Sequence, residues 1–240
     1  MRVFVAGASG VIGRRLLRIL VAGGHEVTGM TRRPARAERI EQEGCRAVVA
    51  DVFDADRLVR VVSLARPEVV IHQLTDLAVP NPSLLDATLL QRTARLRDEG
   101  TANLIVAAVA AGAGRVIAQG IAWIRPSASG RAGGDEAPSG SETVTERGVR
   151  SLERRVLGDS RFDGLVLRYG RLYGPGTWTE TPPEPPTVHV DAAAFAAALG
   201  VDHGSPGAYD VVDDGGPVTN ERAGRELGWR PGWRMGETAP

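Results

Sequence analysis

Three glycines at three-residue spacing, Gly7-Ala8-Ser9-Gly10-Val11-Ile12-Gly13, stand between a short apolar run and a helical pattern. Glycine lets the backbone turn tightly and approach a pyrophosphate, whose charge is met by free N–H groups at a helix start. The strand before, the helix after and the repetition of such units further on supply the context this motif needs. Gly7, Ser9, Gly10, Val11, Ile12 and Gly13 are therefore the expected contacts to a dinucleotide. At the end of the second predicted strand, an Asp or Glu would accept from an adenosine 2′-hydroxyl and select NAD. This chain has Thr31-Arg32-Arg33 there. Two guanidiniums beside a hydroxyl suit a 2′-phosphate, which arginine clamps with paired donors, so NADP is expected over NAD. The competing role for these arginines is a solvated, basic helix start. Asp51, with Val52 beside it, ends the third predicted strand and is placed to accept from an adenine amino group. Capping of the following helix suits Asp54 better.

Few titratable groups remain to do chemistry. His72 ends the fourth predicted strand, at the carboxyl edge where ligands bind in open α/β sheets, as a proton carrier or as a structural residue. Thr75 and Asp76 follow on the loop, facing a nicotinamide ribose or a substrate, with loop-start capping as the alternative. Of Tyr169 and Tyr173, the second lies in a glycine-proline segment and is better placed to hydrogen-bond a substrate oxygen. An unassisted phenol titrates near 10, however, and is a poor base. Trp123 and Arg125 are candidates to line a substrate pocket, the arginine suited to an anionic or phenolate group. The chain's four histidines lack the spacing of a ligand set, so no metal site is expected. Cys45, the one cysteine, reads as a buried thiol and excludes an intramolecular disulfide. All 29 basic residues are arginine.

The elements that must position these residues alternate. Strands are predicted at Val3–Ala6, Glu26–Met30, Ala47–Ala50, Val69–Gln73, Arg115–Gln119 and Gly164–Arg168. Between them lie helices at Ile12–Ala22, Ala35–Glu43, Asp56–Ala65, Thr88–Ala111 (as one long helix) and Glu142–Leu157. This rhythm argues for an α/β, Rossmann-type, doubly wound parallel sheet with helices on both faces. Ser127–Ser141 is rich in small residues and reads as a loop. Thr177–Thr187 holds two proline pairs and can be neither a helix nor a central strand. Val188–Leu199 reads as a short strand running into an Ala-rich helix, with Asp191 as its expected cap. Ala208–Val212 reads as a further strand, and Glu221–Leu227 as a terminal helix.

At 240 residues the chain suffices for one large α/β domain, or one with a small appendage. Its formal charge of zero leaves no basic field to recruit nucleic acid or anionic membrane. The first strand begins at the second residue with no charged leader, and the longest apolar run, Leu104–Ala111, is too short for a bilayer. A cytoplasmic protein is expected.

Taken together, the chain resembles the extended short-chain dehydrogenases/reductases of the NAD-dependent epimerase/dehydratase family. The resemblance runs over nearly the whole length. It rests on the Gly7–Gly13 loop, Asp51-Val52, Val70-Ile71-His72-Gln73-Leu74, Gly100-Thr101-Ala102-Asn103-Leu104, Val188-His189-Val190-Asp191 and Leu227-Gly228-Trp229-Arg230-Pro231. Its most distinctive segment is Leu167-Arg168-Tyr169-Gly170-Arg171-Leu172-Tyr173-Gly174-Pro175-Gly176. The resemblance implies a dinucleotide-binding domain over 1–170, with Leu74 among the coenzyme contacts, and a shortened substrate region over 171–240 packed on it. It also implies a homodimer through the long helix. The departures are specific. Gly120 stands where the family has a Ser or Thr that polarises the substrate, and it is left as backbone lining of the substrate pocket. Aligned on Leu152-Glu153, Thr145 and Val149 stand where the family has its Tyr-x-x-x-Lys pair. The expectation is an NADP-dependent enzyme of non-standard active site, in specialised metabolism, that reduces, dehydrates or isomerises a small molecule. The alternatives are a cofactor-independent enzyme using the same cleft and a non-catalytic NADP-sensing protein.

Overall fold

Short runs such as Val3-Phe4-Val5 are apolar on both sides of the chain, as befits strands covered on both faces. A computed structural model describes residues 1–124 and 142–236. Its elements are β1 (Arg2–Ala6), α1 (Val11–Ala22), β2 (Glu26–Thr31), α2 (Ala37–Glu41), β3 (Arg46–Val49), α3 (Ala55–Ala65) and β4 (Val69–His72). Then come α4 (Ala87–Arg95), α5 (Thr101–Ala110), β5 (Arg115–Ile121), α6 (Val144–Leu157), β6 (Asp163–Tyr169), β7 (Arg171–Tyr173) and β8 (Thr187–His189). The chain ends with α7 (Val190–Asp202), β9 (Gly207–Val211) and α8 (Glu221–Leu227).

Seven parallel strands form the main sheet in the order β3-β2-β1-β4-β5-β6-β9. The winding reverses between β1 and β4, which opens a crevice beyond their carboxyl ends. Val3 and Val5 of β1 join a core with Leu16, Leu17 and Leu20 of α1 and with α7 and α8. Phe4 and Ala6 point the other way, to Leu58 of α3, Leu104 of α5 and Leu152 of α6. The alternation of one strand thus sets which helices cover which face. The segment beyond residue 170 supplies β9 to the sheet and α7 to its cover. Ala192–Ala198 is wholly buried, and its alanines, interrupted by Phe195, let α7 pack closely on α1.

Local chemistry explains the helix starts. The Asp54 carboxylate accepts from the Arg57 N–H, and Thr143 with Glu146 forms a reciprocal capping box on α6. The expected Asp191 cap is corrected: His189 caps α7, accepting from the Asp191 N–H, while the Asp191 carboxylate pairs with Arg15 at 2.5 Å. The helix expected over Ala35–Glu43 is a 3-10 turn at Pro34–Arg36 followed by α2, because Pro34 starts the turn and Gly44, at φ +79°, ends the run. The single long helix expected over Thr88–Ala111 is α4 and α5 joined by a π-turn, Leu96–Gly100. Across the proline segment, β7 and β8 pair as a separate two-stranded parallel sheet. No described helix is long and apolar enough to cross a membrane.

Cys45 is buried, and burial pushes its thiol up to about 11. Only the thiolate reacts, so iodoacetamide at pH 8 should alkylate the native protein roughly a hundredfold more slowly than the unfolded chain. Mass spectrometry of a time course with and without urea measures this.

Candidate coenzyme and substrate site

The glycine loop is shaped by close backbone contacts. Gly7 sits at φ +90°, and a Cβ there would lie 2.6 Å from the Gln73 carbonyl oxygen. A Cβ at Gly13 would lie 2.3 Å from the Gly7 oxygen and 2.8 Å from Ala8 backbone, so the third glycine lets helix and loop close on each other. Gly10 caps α1 without a side-chain hydrogen bond, which leaves first-turn N–H groups available to a phosphate. The cradle fits a dinucleotide pyrophosphate. Gly13→Ala should therefore cost about 2 kcal/mol or more of stability, since only backbone could give way. It should also abolish NADPH binding in a calorimetric titration.

The second-strand residues lie beside this loop. Thr31 is buried, with its hydroxyl 3.3 Å from that of Ser9 and accepting from the Arg33 N–H at 3.2 Å. Arg32 donates to Asp76 at 2.6 Å, and Arg92 of α4 takes the other carboxylate oxygen. Around them the guanidiniums crowd. Arg36 is pushed down, first by burial and then by Arg33, Arg39, Arg14 and Arg32. Arg14 and Arg36 were not among the sequence candidates, because positions before and after the motif carry no signal of their own. Asp51 is exposed and accepts from the Phe53 N–H, while Val52 is buried against Gly100. Leu74 is half-buried and Thr75 exposed at the crevice.

The three groups singled out for proton chemistry are all engaged with protein. His72 is buried on the α4–α5 side of β4. Its Nδ1 accepts from the Leu74 N–H at 3.2 Å, and its Nε2 lies 3.1 Å from the Thr101 hydroxyl. Burial pushes it down to about 4, so it is neutral at physiological pH. A histidine with a depressed folded value contributes stability that is complete above the unfolded value near 6.5 and is lost as pH falls toward 4. The loss should reach about 3 kcal/mol by pH 4, and the pH dependence of urea unfolding should flatten over that window in His72→Gln. The Asp76 carboxylate is held by Arg32 and Arg92. Tyr173 is buried and stands edge-on to His189, with ring centroids 5.2 Å apart. Its hydroxyl meets Asp213 and Arg234, and burial pushes the phenol up.

On the substrate side, a Cβ at Gly120 would lie 3.2 Å from the Glu153 carboxylate and 3.0 Å from Val166. That volume is filled by a buried ion pair in which Arg168 donates to Glu153 at 2.8 and 2.7 Å. Val149 is buried on α6, and Gly148 brings that helix against Ala94 of α4. Trp123 is exposed, with the Arg171 guanidinium 4.6 Å over its ring. Trp178, from the proline segment, donates to the Val79 carbonyl at 2.8 Å and so ties that segment to the loop after β4. Arg125 lies outside the described residues. Among the described residues no cluster of three metal-ligating side chains occurs.

A family model described as NAD(P)H-binding matches residues 7–181. The chain is 42% identical to a protein named 3-diazoavenalumate denitrifying reductase, from Streptomyces sp, over 89% of this chain and 76% of that one. Among solved structures, UDP-glucose 4-epimerase from Thermotoga maritima with UDP-glucose superposes at a TM-score of 0.74 and 17% identity, covering 98% of this chain and 95% of that one. UDP-glucose 4-epimerase from Thermus thermophilus with NAD gives 0.68 and 23%, over 96% and 85%. These two likenesses carry the fold. The chain belongs to the NAD(P)H-binding family and has the extended short-chain dehydrogenase/reductase fold of the epimerase/dehydratase enzymes.

Proposed function

We propose that this protein is an NADPH-dependent reductase whose substrate accepts a hydride without help from an enzymic acid, an arenediazonium being the class that fits best. One feature of the sequence carries the reading: aligned on Leu152-Glu153, the positions where the family polarises or protonates a carbonyl hold Gly120, Thr145 and Val149, and the space beside Gly120 is filled by the Arg168–Glu153 pair. His72 and Asp76 do not replace them, since both are taken up by protein partners, and the Tyr173 phenol, pushed up by burial and engaged with Asp213 and Arg234, is a weaker acid than a free phenol. A carbonyl needs a proton as it takes up a hydride. Bound NADPH would supply the hydride, and the balance Ar–N2+ + NADPH → Ar–H + N2 + NADP+ closes with no added proton. The relative named as a denitrifying reductase of a diazo compound supports this class. The chain's own residues then have three tasks. The Gly7–Gly13 loop holds the pyrophosphate, the arginines around Arg32 and Arg33 hold the 2′-phosphate, and Trp123, Arg171 and Trp178 wall the side where an aromatic ring would lie. Specialised metabolism is the setting such a substrate implies, and a homodimer through α4 and α5 remains the proposed assembly.

The test uses NADPH and the diazonium prepared from 3-amino-4-hydroxybenzoate. The expected result is one N2 released per NADPH oxidised, above the rate without protein. NADPH oxidation with no N2, or no reaction with the diazonium alongside reduction of an aromatic aldehyde, would refute the reading.

A further inference from the structure

Arg97 is 5% exposed and stands in the middle of the π-turn between α4 and α5. Its Nε is sealed from solvent with no hydrogen-bond partner, and the side chain has no ion pair among the described residues. Desolvation pushes it down to about 10. A buried cation with no ion partner is costly, and among the described residues no carboxylate pairs with this one. The titratable neighbour is His72, which Arg97 itself pushes down rather than pairs with.

Its direction follows from the residues before and after it on the same helical stripe. Thr93 accepts from the Asp76 N–H at 3.2 Å, and Thr101 meets His72 at 3.1 Å. Arg97 lies between them, so it faces the strand-to-loop turn from His72 to Asp76, the carboxyl edge of β4. Leu96 and Gly100 turn instead toward Val52, and Asp98 toward Ser151 and Arg155 of α6. The π-turn is the device that widens the helix at this residue, and such turns recur at functional sites. Across the strand, Gln73 Oε1 is likewise buried without a partner.

We infer that Arg97 is a binding residue for an anionic oxygen, a carboxylate or phenolate, of the substrate at the carboxyl edge of β4. The assignment of that anion to the substrate rests on the reductase reading above. A bidentate guanidinium suits such a group, and a site this dry strengthens the pair. An anion here also compensates the positive charge of a diazonium in the same molecule. Arg97 costs stability where it stands, and the ligand offsets that cost on binding.

The experiment compares wild type, Arg97→Met and Arg97→Lys. Met keeps the length of the stem without the charge. Each protein, saturated with NADP+, is titrated calorimetrically with 4-hydroxybenzoate and with 4-hydroxybenzamide, and each is melted without ligand. Wild type should prefer the carboxylate at least tenfold. Arg97→Met should lose that preference, bind NADP+ within about threefold of wild type, and melt higher. Arg97→Lys should recover part of the preference. Three results would overturn the inference: no carboxylate preference in wild type, a preference that survives in Arg97→Met, or a parallel loss of NADP+ affinity, which would make Arg97 a coenzyme anchor. A lower melting temperature in Arg97→Met with the preference intact would make it a structural residue. If the carboxylate preference behaves as expected while the diazonium is not reduced, the anion site stands and the reductase reading fails.

Discussion

Replacing Arg32 and Arg33 together by alanine should raise the Kd for NADPH by about 10²- to 10³-fold and leave that for NADH within about threefold. Charge-assisted hydrogen bonds contribute about 1.5–3 kcal/mol each, and two at a solvent-facing site come to about 3–4 kcal/mol, or two to three decades. The structure adds a reason for the asymmetry. Arg36 is pushed down first by burial and then by four neighbouring guanidiniums, a concentration of charge that a 2′-phosphate would relieve and a 2′-hydroxyl would not. Asp76 holds Arg32 in place from the far side of the crevice. Asp76→Asn should therefore weaken NADPH less than the double substitution does. Equal losses for NADPH and NADH, read by calorimetry, would remove the 2′-phosphate clamp from the account.

Glu153→Ala should destabilise the protein by about 3–5 kcal/mol, lowering Tm by on the order of 10 °C. Glu153 and Arg168 have side chains only 4% and 9% exposed, and they are joined by two hydrogen bonds. Removal of Glu153 takes away both hydrogen bonds of a largely desolvated Arg168 and leaves it only the weaker attraction of Asp210, which costs far more than an exposed pair is worth. The double variant Glu153→Leu/Arg168→Met, apolar and of similar volume, should recover most of the loss. The effect should reach the site as well, because Gly120 rests on this pair. A single substitution tolerated within 1 kcal/mol in urea unfolding would show that the pair is not the anchor of α6 on β6.

The outline of this molecule was legible in the residues because its signals are local. Gly7, Gly10 and Gly13 need no distant partner to announce a tight turn into a helix, and short apolar runs between helical patterns place the strands of the main sheet. The Leu167–Gly176 segment likewise carried the family resemblance. What stayed hidden depends on partners remote in sequence. Asp76 reads as a free loop carboxylate until Arg32, 44 residues away, and Arg92 are brought to it. His72 reads as either a proton carrier or a structural residue until burial and Thr101 fix it as neutral. Asp191 reads as a cap until Arg15 of α1 draws its carboxylate off and His189 takes the role. The π-turn and Arg97 were invisible for a different reason. Leu96–Gly100 continues an ordinary helical pattern, and no residue type within it signals the extra residue per turn. The pairing of β7 with β8 depends on a return across a proline-rich segment that has no period to read.

The central claim, hydride uptake with no enzymic proton donor, is tested most directly by single-turnover NADPH oxidation in H2O and in D2O, with the diazonium from 3-amino-4-hydroxybenzoate as acceptor. A rate ratio near one between the two solvents, together with slowing by NADPH deuterated at the transferred position, is the predicted result. A solvent ratio of about two or more would mean that a proton moves in the same step. The crevice would then hold an acid that this account denies.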